Sequence, residues 1–167
     1  MSNIFITGTS KGIGLELSNE FLEEGHTVFG CSRSASPISH ERYKHFICDV
    51  SIEKDVVDIK NELIKSKTTI DVLINNAGIA SMNHVLTTSC ESVKTIFGTN
   101  FVGTFLFTRE ISKLMIKNNY GRIINFSTCA AALDLEGESI YAASKSAVES
   151  FTRTSSKELS SFNITVN

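Results

Sequence analysis

The chain has 167 residues, of which 41% are hydrophobic, and a formal net charge of −2 at pH 7. This composition is typical of one globular domain with a hydrophobic core, and the lack of a basic excess argues against a nucleic-acid partner. The apolar runs are no longer than strands and the start MSNIFITG lacks the pattern of a signal peptide, so we expect a cytoplasmic protein without membrane segments. The four cysteines form no CxxC pair, and we predict neither a disulfide framework nor a metal site.

Short apolar runs rich in β-branched residues alternate along the chain with longer segments of helical period. This alternation predicts an α/β fold in which a doubly wound parallel sheet lies between two layers of helices, three layers in all. The predicted strands are residues 3–7, 27–31, 45–48, 72–75 and 122–126, with a sixth beginning at Ile164. The predicted helices follow Ile13, Leu17 and Phe21; then Val56, Ile59 and Leu63; then Val93, Phe97, Phe101 and Phe105; and finally Tyr141, Val148 and Phe151.

The loop TGTSKGIG directly follows the first predicted strand and opens the first predicted helix. Glycines in this position allow a sharp turn and let backbone N–H groups approach a pyrophosphate at the helix N-terminus. The spacing differs from the common GxGxxG fingerprint, because the first two glycines stand further apart and the last two closer. The loop predicts a nucleotide site, the alternative being a turn without a ligand. Its expected contacts are Gly8, Ser10, Lys11, Gly12, Ile13 and Gly14.

Two positive charges bear on the choice of nucleotide. Lys11 lies inside the glycine loop, and Arg33 lies just past the second strand, where NAD-specific proteins present an acid to the ribose hydroxyls. Arginine at that position can form paired hydrogen bonds to a 2′-phosphate, which an aspartate would repel. We therefore expect NADP to be preferred, with NAD possible. The alternative is that both residues are ordinary solvated charges.

The last predicted helix carries Tyr141 and Lys145 four residues apart. Residues at this spacing are neighbours on a helix, so an ammonium can stand beside the phenol and favour the phenolate. Alone, such a pair more often marks an ordinary amphipathic helix than a catalytic one. The sequence then stops at NITVN, where the sixth strand begins, so we expect the sheet to be incomplete at its C-terminal edge.

Six motifs occur in order along the chain: TGTSKGIG, CDV, NNAG, TNFVG, GRIINFST and YAASK. In this combination the chain resembles the classical short-chain dehydrogenase/reductase family over its whole length. The resemblance implies a single Rossmann-type NAD(P)-binding domain over residues 1–167. It also implies that Asp49 and Val50 lie beside the adenine, and that Asn75, Ala77 and Gly78 line the cofactor after the fourth strand.

The same resemblance implies catalytic roles. Tyr141 is expected to be the catalytic acid or base, Lys145 its activator and a ribose ligand, and Asn100 the residue that holds a proton-relay water; Tyr141 and Lys145 are thus also cofactor contacts. The family has a serine thirteen residues before the tyrosine, and Thr128 occupies this position, where its hydroxyl can hydrogen-bond a substrate carbonyl. Ser127 is the reserve candidate, because successive strand residues point to opposite faces.

The function implied by the resemblance is NADP-dependent hydride transfer between nicotinamide and a small or carrier-bound carbonyl/alcohol substrate. A 3-oxoacyl group on acyl carrier protein is the first guess, and sugar and polyol oxidation stay open. The resemblance also implies a homodimer or homotetramer through the helices after Val93 and from Tyr141, and a substrate-covering C-terminal part that we expect this chain to lack. Two alternatives are a catalytically inactive nucleotide-binding or dimerising fragment, and an epimerase or dehydratase of the extended branch.

Overall fold

A single parallel sheet of six strands organises the molecule. The computed structural model describes residues 1–133 and 135–167. The strands are β1 Asn3–Thr7, β2 Thr27–Ser32, β3 Tyr43–Ile47, β4 Val72–Asn75, β5 Gly121–Asn125 and β6 Ile164–Val166. Their order across the sheet is β3-β2-β1-β4-β5-β6, so the winding reverses between β1 and β4. In doubly wound sheets a ligand cleft opens at the carboxyl ends of the strands at such a reversal.

The helices connect these strands. They are α1 Gly12–Glu23, α2 Glu53–Lys65, α3 Cys90–Phe97, α4 Gly103–Asn118, α5 Ala130–Leu133 and α6 Ser139–Leu159. A π-helical turn, Gly98–Val102, joins α3 to α4, and a short 3-10 turn, Ser160–Phe162, follows α6. In the described ranges, no helix combines the length and the apolar character needed to cross a bilayer.

Alternation along β1 divides the interior into two cores, because successive strand residues point to opposite faces. Phe5 packs on one face against Phe107 of α4, with ring centroids 5.3 Å apart. Ile4 and Ile6 pack on the other face with Leu22 of α1. The first face is covered by α2, α4 and α6 and the second by α1, which makes three layers.

The predicted three-layer, doubly wound α/β architecture of the Rossmann type is confirmed, with differences in detail. β3 begins at Tyr43, earlier than predicted, because Tyr43 already pairs with Val28 of β2. The helix predicted to run unbroken from Val93 to Phe105 contains the π-helical turn, which inserts an extra residue into the helical repeat. The short helix α5 was not predicted.

Candidate functional site

A cleft of about 660 Å³ opens at the reversal point of the sheet. Sites for small molecules and cofactors usually have volumes of roughly 300 to 1,000 Å³. Most of the predicted cofactor contacts line this cleft: Gly8, Ser10, Lys11, Gly12, Ile13, Arg33, Asp49, Val50, Ala77 and Gly78. The structure therefore brings together segments that follow β1, β2, β3 and β4.

The glycine loop leaves room and free donors at the start of α1. Gly8 and Gly12 have φ angles of +79° and +59°, which glycine adopts without strain. A Cβ built on Gly12 would meet no atom within 4 Å, so the space above this residue is open. Lys11 precedes α1, and no side chain of the described residues caps the first N–H groups of this helix. These donors and the helix dipole favour an anion at this position.

Gly14, also predicted as a cofactor contact, does not line the cleft and has a packing role instead. A Cβ on Gly14 would lie 2.3 Å from the Gly8 carbonyl oxygen and 2.5 Å from the side-chain nitrogen of Asn76. Such distances are impossible for a real side chain without movement of the backbone. The third glycine of the motif thus lets α1 approach the loop closely.

The two asparagines of NNAG occupy different places. Asn75 is buried, and its amide donates to the Thr108 hydroxyl at 3.1 Å and to the Asn125 side chain at 2.8 Å. It therefore lies behind the cleft, although the resemblance predicts a cofactor contact. Asn76 lines the cleft in its place and donates to the carbonyl oxygen of Thr7 at 2.8 Å. This bond ties the segment after β4 to the end of β1.

Charged groups stand at the end of the cleft near β2 and β3. Lys11 and Arg33 are exposed, and among the described residues neither takes part in an ion pair. The pKa of Asp49 is lowered from 3.8: burial alone would raise it, but hydrogen bonds from Ser51 and the charge of Arg33 outweigh burial. The N–H and the hydroxyl of Ser51 both donate to Oδ1 of Asp49, at 2.9 and 2.7 Å. This leaves Oδ2 for a donor on a ligand.

Asn100 and Lys145 meet beside Gly78. A Cβ built on Gly78 would lie 3.4 Å from Oδ1 of Asn100 and 3.5 Å from Nζ of Lys145. The fully buried amide of Asn100 donates to the Ile79 carbonyl at 2.9 Å and to the Ser144 hydroxyl at 3.0 Å, and Oδ1 accepts from the Ile79 N–H at 2.8 Å. One side chain of the π-helical turn thus joins the segment after β4 to α6.

These bonds restrict how Asn100 can hold a water. Both hydrogens of its amide are engaged, so a water on this residue must donate to one of its oxygens. The main-chain oxygen of Asn100 accepts from the Thr104 hydroxyl at 2.8 Å. The proton-relay role of Asn100 stays a prediction.

Lys145 is held by the residue that directly follows β5. It is 6% exposed, and its Nζ donates to the Phe126 carbonyl at 2.8 Å. Burial lowers the pKa of the Lys145 amine from 10.5. Tyr141 is half-buried one helical turn earlier, and its carbonyl accepts from Ser144 at 2.7 Å. Within the described chain no direct hydrogen bond joins the Tyr141 phenol to Lys145, although their spacing on α6 puts them on one face.

The hydroxyls after β5 differ in their partners. Ser127 is exposed, and its hydroxyl donates to the Glu149 carboxylate. Thr128 is half-buried, and its Oγ1 accepts from the Ala130 N–H at 3.2 Å, next to the start of α5. Thr128 can still donate its hydroxyl hydrogen to a ligand, whereas the hydrogen of Ser127 is already used. This difference favours Thr128 over Ser127 as the substrate contact.

Several cleft residues were missed by sequence reasoning. Ser32 and Ser34 flank Arg33, Asn76 and Ile79 adjoin residues predicted from NNAG, and Thr99 precedes Asn100, so widening each motif by one residue would have found them. Cys48 directly precedes the predicted Asp49. The set missed is Ser32, Ser34, Cys48, Asn76, Ile79 and Thr99.

The donors and cations of the cleft can bind an elongated anionic ligand. Uncapped N–H groups lie at the start of α1, and Lys11 and Arg33 line the cleft without ion pairs among the described residues. The side chains of Asn100 and Lys145 lie next to Gly78. The open space at Gly12 and the donor-rich start of α1 fit the pyrophosphate of a dinucleotide.

Comparisons with known proteins agree on one family. A family model described as "short chain dehydrogenase" matches residues 2–167. The chain is 33% identical over 172 residues to a 3-oxoacyl-[acyl-carrier-protein] reductase of Synechocystis sp., an alignment that covers 97% of this chain and 70% of that protein. The solved structure of 4-hydroxyisoleucine dehydrogenase complexed with NADH is similar with a TM-score of 0.94 and 27% identity, over 100% of this chain and 73% of that one. ElxO with NADP bound gives a TM-score of 0.92 and 29% identity, over 100% and 72%.

Proposed function

The chain belongs to the short-chain dehydrogenase family, and on this premise we propose that it is an NADP-dependent oxidoreductase acting on a carbonyl/alcohol pair. The observation that carries the proposal is the meeting of Asn100 and Lys145 at Gly78, which itself lines the cleft behind the glycine loop. Asn100 and Lys145, two of the residues proposed for proton transfer, therefore lie next to a residue of the proposed dinucleotide cleft, which supports one joint site.

The proposed preference for NADP rests on charge. Lys11 and Arg33 line the cleft without ion-pair partners among the described residues, and the neighbourhood of Arg33 holds serines instead of the acid typical of NAD sites. A 2′-phosphate would find a bidentate partner in Arg33. Known relatives use either form: one similar structure is described with NADH and another with NADP. When bound, the nicotinamide supplies or accepts the hydride.

The proposed proton transfer uses Tyr141. In the reductive direction the carbonyl carbon gains a hydride and its oxygen takes the phenolic proton of Tyr141, which leaves a phenolate. Lys145, one turn away, stabilises this phenolate, and its bond to the Phe126 carbonyl fixes the position of its amine. Thr128 donates to the same substrate oxygen and stabilises the negative charge that develops there. Oxidation of an alcohol follows the same path in reverse.

The substrate class is proposed from similarity. The curated relative with 33% identity is a 3-oxoacyl-[acyl-carrier-protein] reductase, so a 3-oxoacyl thioester is the first substrate to test. Sugar and polyol alcohols form the second group.

The test combines binding with turnover. Nicotinamide fluorescence should show saturable binding of NADPH, tighter than that of NADH. Tyr141→Phe should lower turnover of a 3-oxoacyl thioester by about 100-fold or more, because general acid catalysis is lost, while NADPH affinity changes by less than about twofold. Tyr120→Phe is the matched control: Tyr120 stacks on Arg122 and precedes β5, at the opposite end of this strand from Phe126 and Thr128, so this variant should keep full activity.

Two results would contradict the proposal. Full turnover in Tyr141→Phe would refute the assigned acid. A folded wild-type chain that binds neither NADPH nor NADH would refute the oxidoreductase assignment for this chain and favour an assembly role without chemistry.

A further inference from the structure

A polar bridge runs beneath the cleft from the glycine loop to the segment after β2. It consists of Thr9, Tyr43, His45, Ser32 and Ser34, and we call it the histidine bridge. The Tyr43 hydroxyl donates to Oγ1 of Thr9 at 2.9 Å, and this oxygen lies 3.3 Å from Nδ1 of His45. On the other side of the ring, Nε2 lies 3.0 Å from the Ser34 carbonyl oxygen and 3.2 Å from the Ser32 hydroxyl.

The partners of His45 determine which atom donates in each hydrogen bond of the histidine bridge. A carbonyl oxygen only accepts, so Nε2 carries the hydrogen and donates to Ser34. In the neutral ring Nδ1 is then an acceptor for the Thr9 hydroxyl, with the Tyr43 oxygen also 3.0 Å away. The Ser32 hydroxyl donates to the same Ser34 carbonyl at 2.7 Å. The Ser34 carbonyl is therefore held by two donors.

The backbone of β2 makes room for the bridge at Gly30. A Cβ on Gly30 would lie 2.3 Å from the Tyr43 hydroxyl oxygen and 2.4 Å from Oγ1 of Thr9. Only glycine lets the Tyr43 side chain cross β2 and reach the glycine loop. A second bond ties the same two segments, since the Ser36 hydroxyl donates to the Thr9 carbonyl at 3.1 Å.

The bridge acts on Arg33, which stands between its two serines. Ser32 and Ser34 both line the cleft. The bonds from His45 and Ser32 hold the Ser34 carbonyl, which directly follows Arg33, and the backbone before Arg33 is held by the Cys48 N–H, which donates to the Ser32 carbonyl at 3.0 Å. The Arg33 guanidinium carries no ion pair among the described residues. Holding a charged residue in place before a ligand arrives lowers the ordering cost of binding. This benefit falls mainly on a ligand that uses the arginine charge.

We propose that His45 is a positioning residue for cofactor selection: through the Ser34 carbonyl it holds Arg33 where a 2′-phosphate binds, and so favours NADP over NAD. The inference rests on the proposed function, since it assumes that the cleft takes a nicotinamide dinucleotide. His45 itself does not line the cleft and acts only through the backbone.

The test measures Kd for NADPH and for NADH by nicotinamide fluorescence on the wild-type chain and three variants. His45→Ala should weaken NADPH binding by about fivefold and NADH binding by less than about twofold, as expected for the loss of one or two neutral hydrogen bonds. His45→Gln, whose amide can replace the Nε2 donor, should recover most of the NADPH affinity. Tyr43→Phe keeps the ring and removes the hydroxyl. It should also raise the ratio of the NADPH Kd to the NADH Kd, but by a smaller factor than His45→Ala.

The outcomes separate the inference from the proposed function. Equal weakening of both cofactors in His45→Ala would overturn the inference, because a general packing defect does not discriminate. The inference would also be overturned if the ratio of the two Kd values were unchanged in both His45→Ala and Tyr43→Phe. A wild-type chain that binds neither cofactor overturns the proposed function first, before any variant is made.

Discussion

Replacing Glu110 by glutamine should lower the free energy of unfolding by about 2 to 3 kcal/mol at pH 7. Glu110 on α4 is 1% exposed and contacts three cations: Nζ of Lys113 at 2.6 Å, Nε of Arg109 at 2.7 Å and Nζ of Lys60 on α2 at 3.3 Å. Removing one partner of a buried ion pair typically costs about 3 to 5 kcal/mol. Here the side chains of the cations are 18% to 53% exposed, so water compensates part of the loss and the expected cost lies at or just below the lower limit of that range.

The same carboxylate predicts a pH dependence. Burial alone would raise the pKa of Glu110, but hydrogen bonds from Lys113, Arg109 and Lys60 outweigh it, and the pKa is lowered from 4.5. A group with a lowered pKa in the folded state contributes stability above its unfolded pKa and loses that contribution as the pH falls through its folded pKa. The difference in stability between wild type and Glu110→Gln should therefore be full at pH 7 and shrink below about pH 4.5.

The assay is urea unfolding followed by circular dichroism at pH 7, pH 5 and pH 3.5. Glu62→Gln on α2 is the matched control, because Glu62 also pairs with a lysine, Lys44 at 2.5 Å, but on the surface. Its effect should stay within about 0.5 kcal/mol at every pH. If Glu110→Gln behaves like Glu62→Gln, or if its deficit is the same at pH 7 and pH 3.5, the buried cluster does not stabilise the packing of α2 on α4.

Three further predictions concern the site and its surroundings. Thr128→Ser should keep or raise turnover and Thr128→Ala should lower it by about 10-fold or more, measured as kcat/KM; equal rates in all three would remove Thr128 from the mechanism. Gly14→Ala should weaken NADPH binding and lower the unfolding midpoint, because its Cβ would lie 2.3 Å from the Gly8 carbonyl oxygen. Gly25→Ala is the control: Gly25 has a positive φ but no atom within 4 Å of a built Cβ, so this variant shows the effect of backbone strain without a clash. The chain should form dimers or tetramers through α4 and α6, where Phe105 is partly exposed and packs edge-on to Phe151; Phe105→Glu should give monomers by light scattering, and a monomeric wild type would refute this interface.

The sheet and the glycine loop were predictable because their signals are local. β1 and β4 have the predicted bounds, since each is a short β-branched run limited by polar or glycine residues. The positions of Gly8 and Gly12 in the loop follow from the strand-loop-helix context, and both line the cleft. In each case a few consecutive residues carry the whole signal.

What could not be predicted depends on contacts between distant segments. Whether Asn75 or Asn76 faces the cleft is decided by where β4 ends against its neighbours, and a motif alone does not specify that register. The π-helical turn is hidden because its apolar residues keep an ordinary helical spacing. The need for glycine at position 30 arises from Tyr43 of the neighbouring strand, whose hydroxyl oxygen would lie 2.3 Å from a Cβ there, and no local sequence pattern indicates it.

The hydrogen bonds of Asn100 determine at which stage of folding the proposed site is complete. Its side chain bonds Ile79 and Ser144, which are 21 and 44 residues away in the sequence, and because Ser144 lies on α6 the network is complete only after α6 has docked. A local opening that frees α6 would displace the residues proposed for proton transfer, while β1 to β4 and the glycine loop can stay folded. The Ile79 amide hydrogen, which Oδ1 of Asn100 accepts, is a single-atom reporter of the other half of this network. If its protection from exchange with solvent deuterium falls when Ser144 is replaced by alanine, the bond to α6 also holds the Asn100 side chain in place.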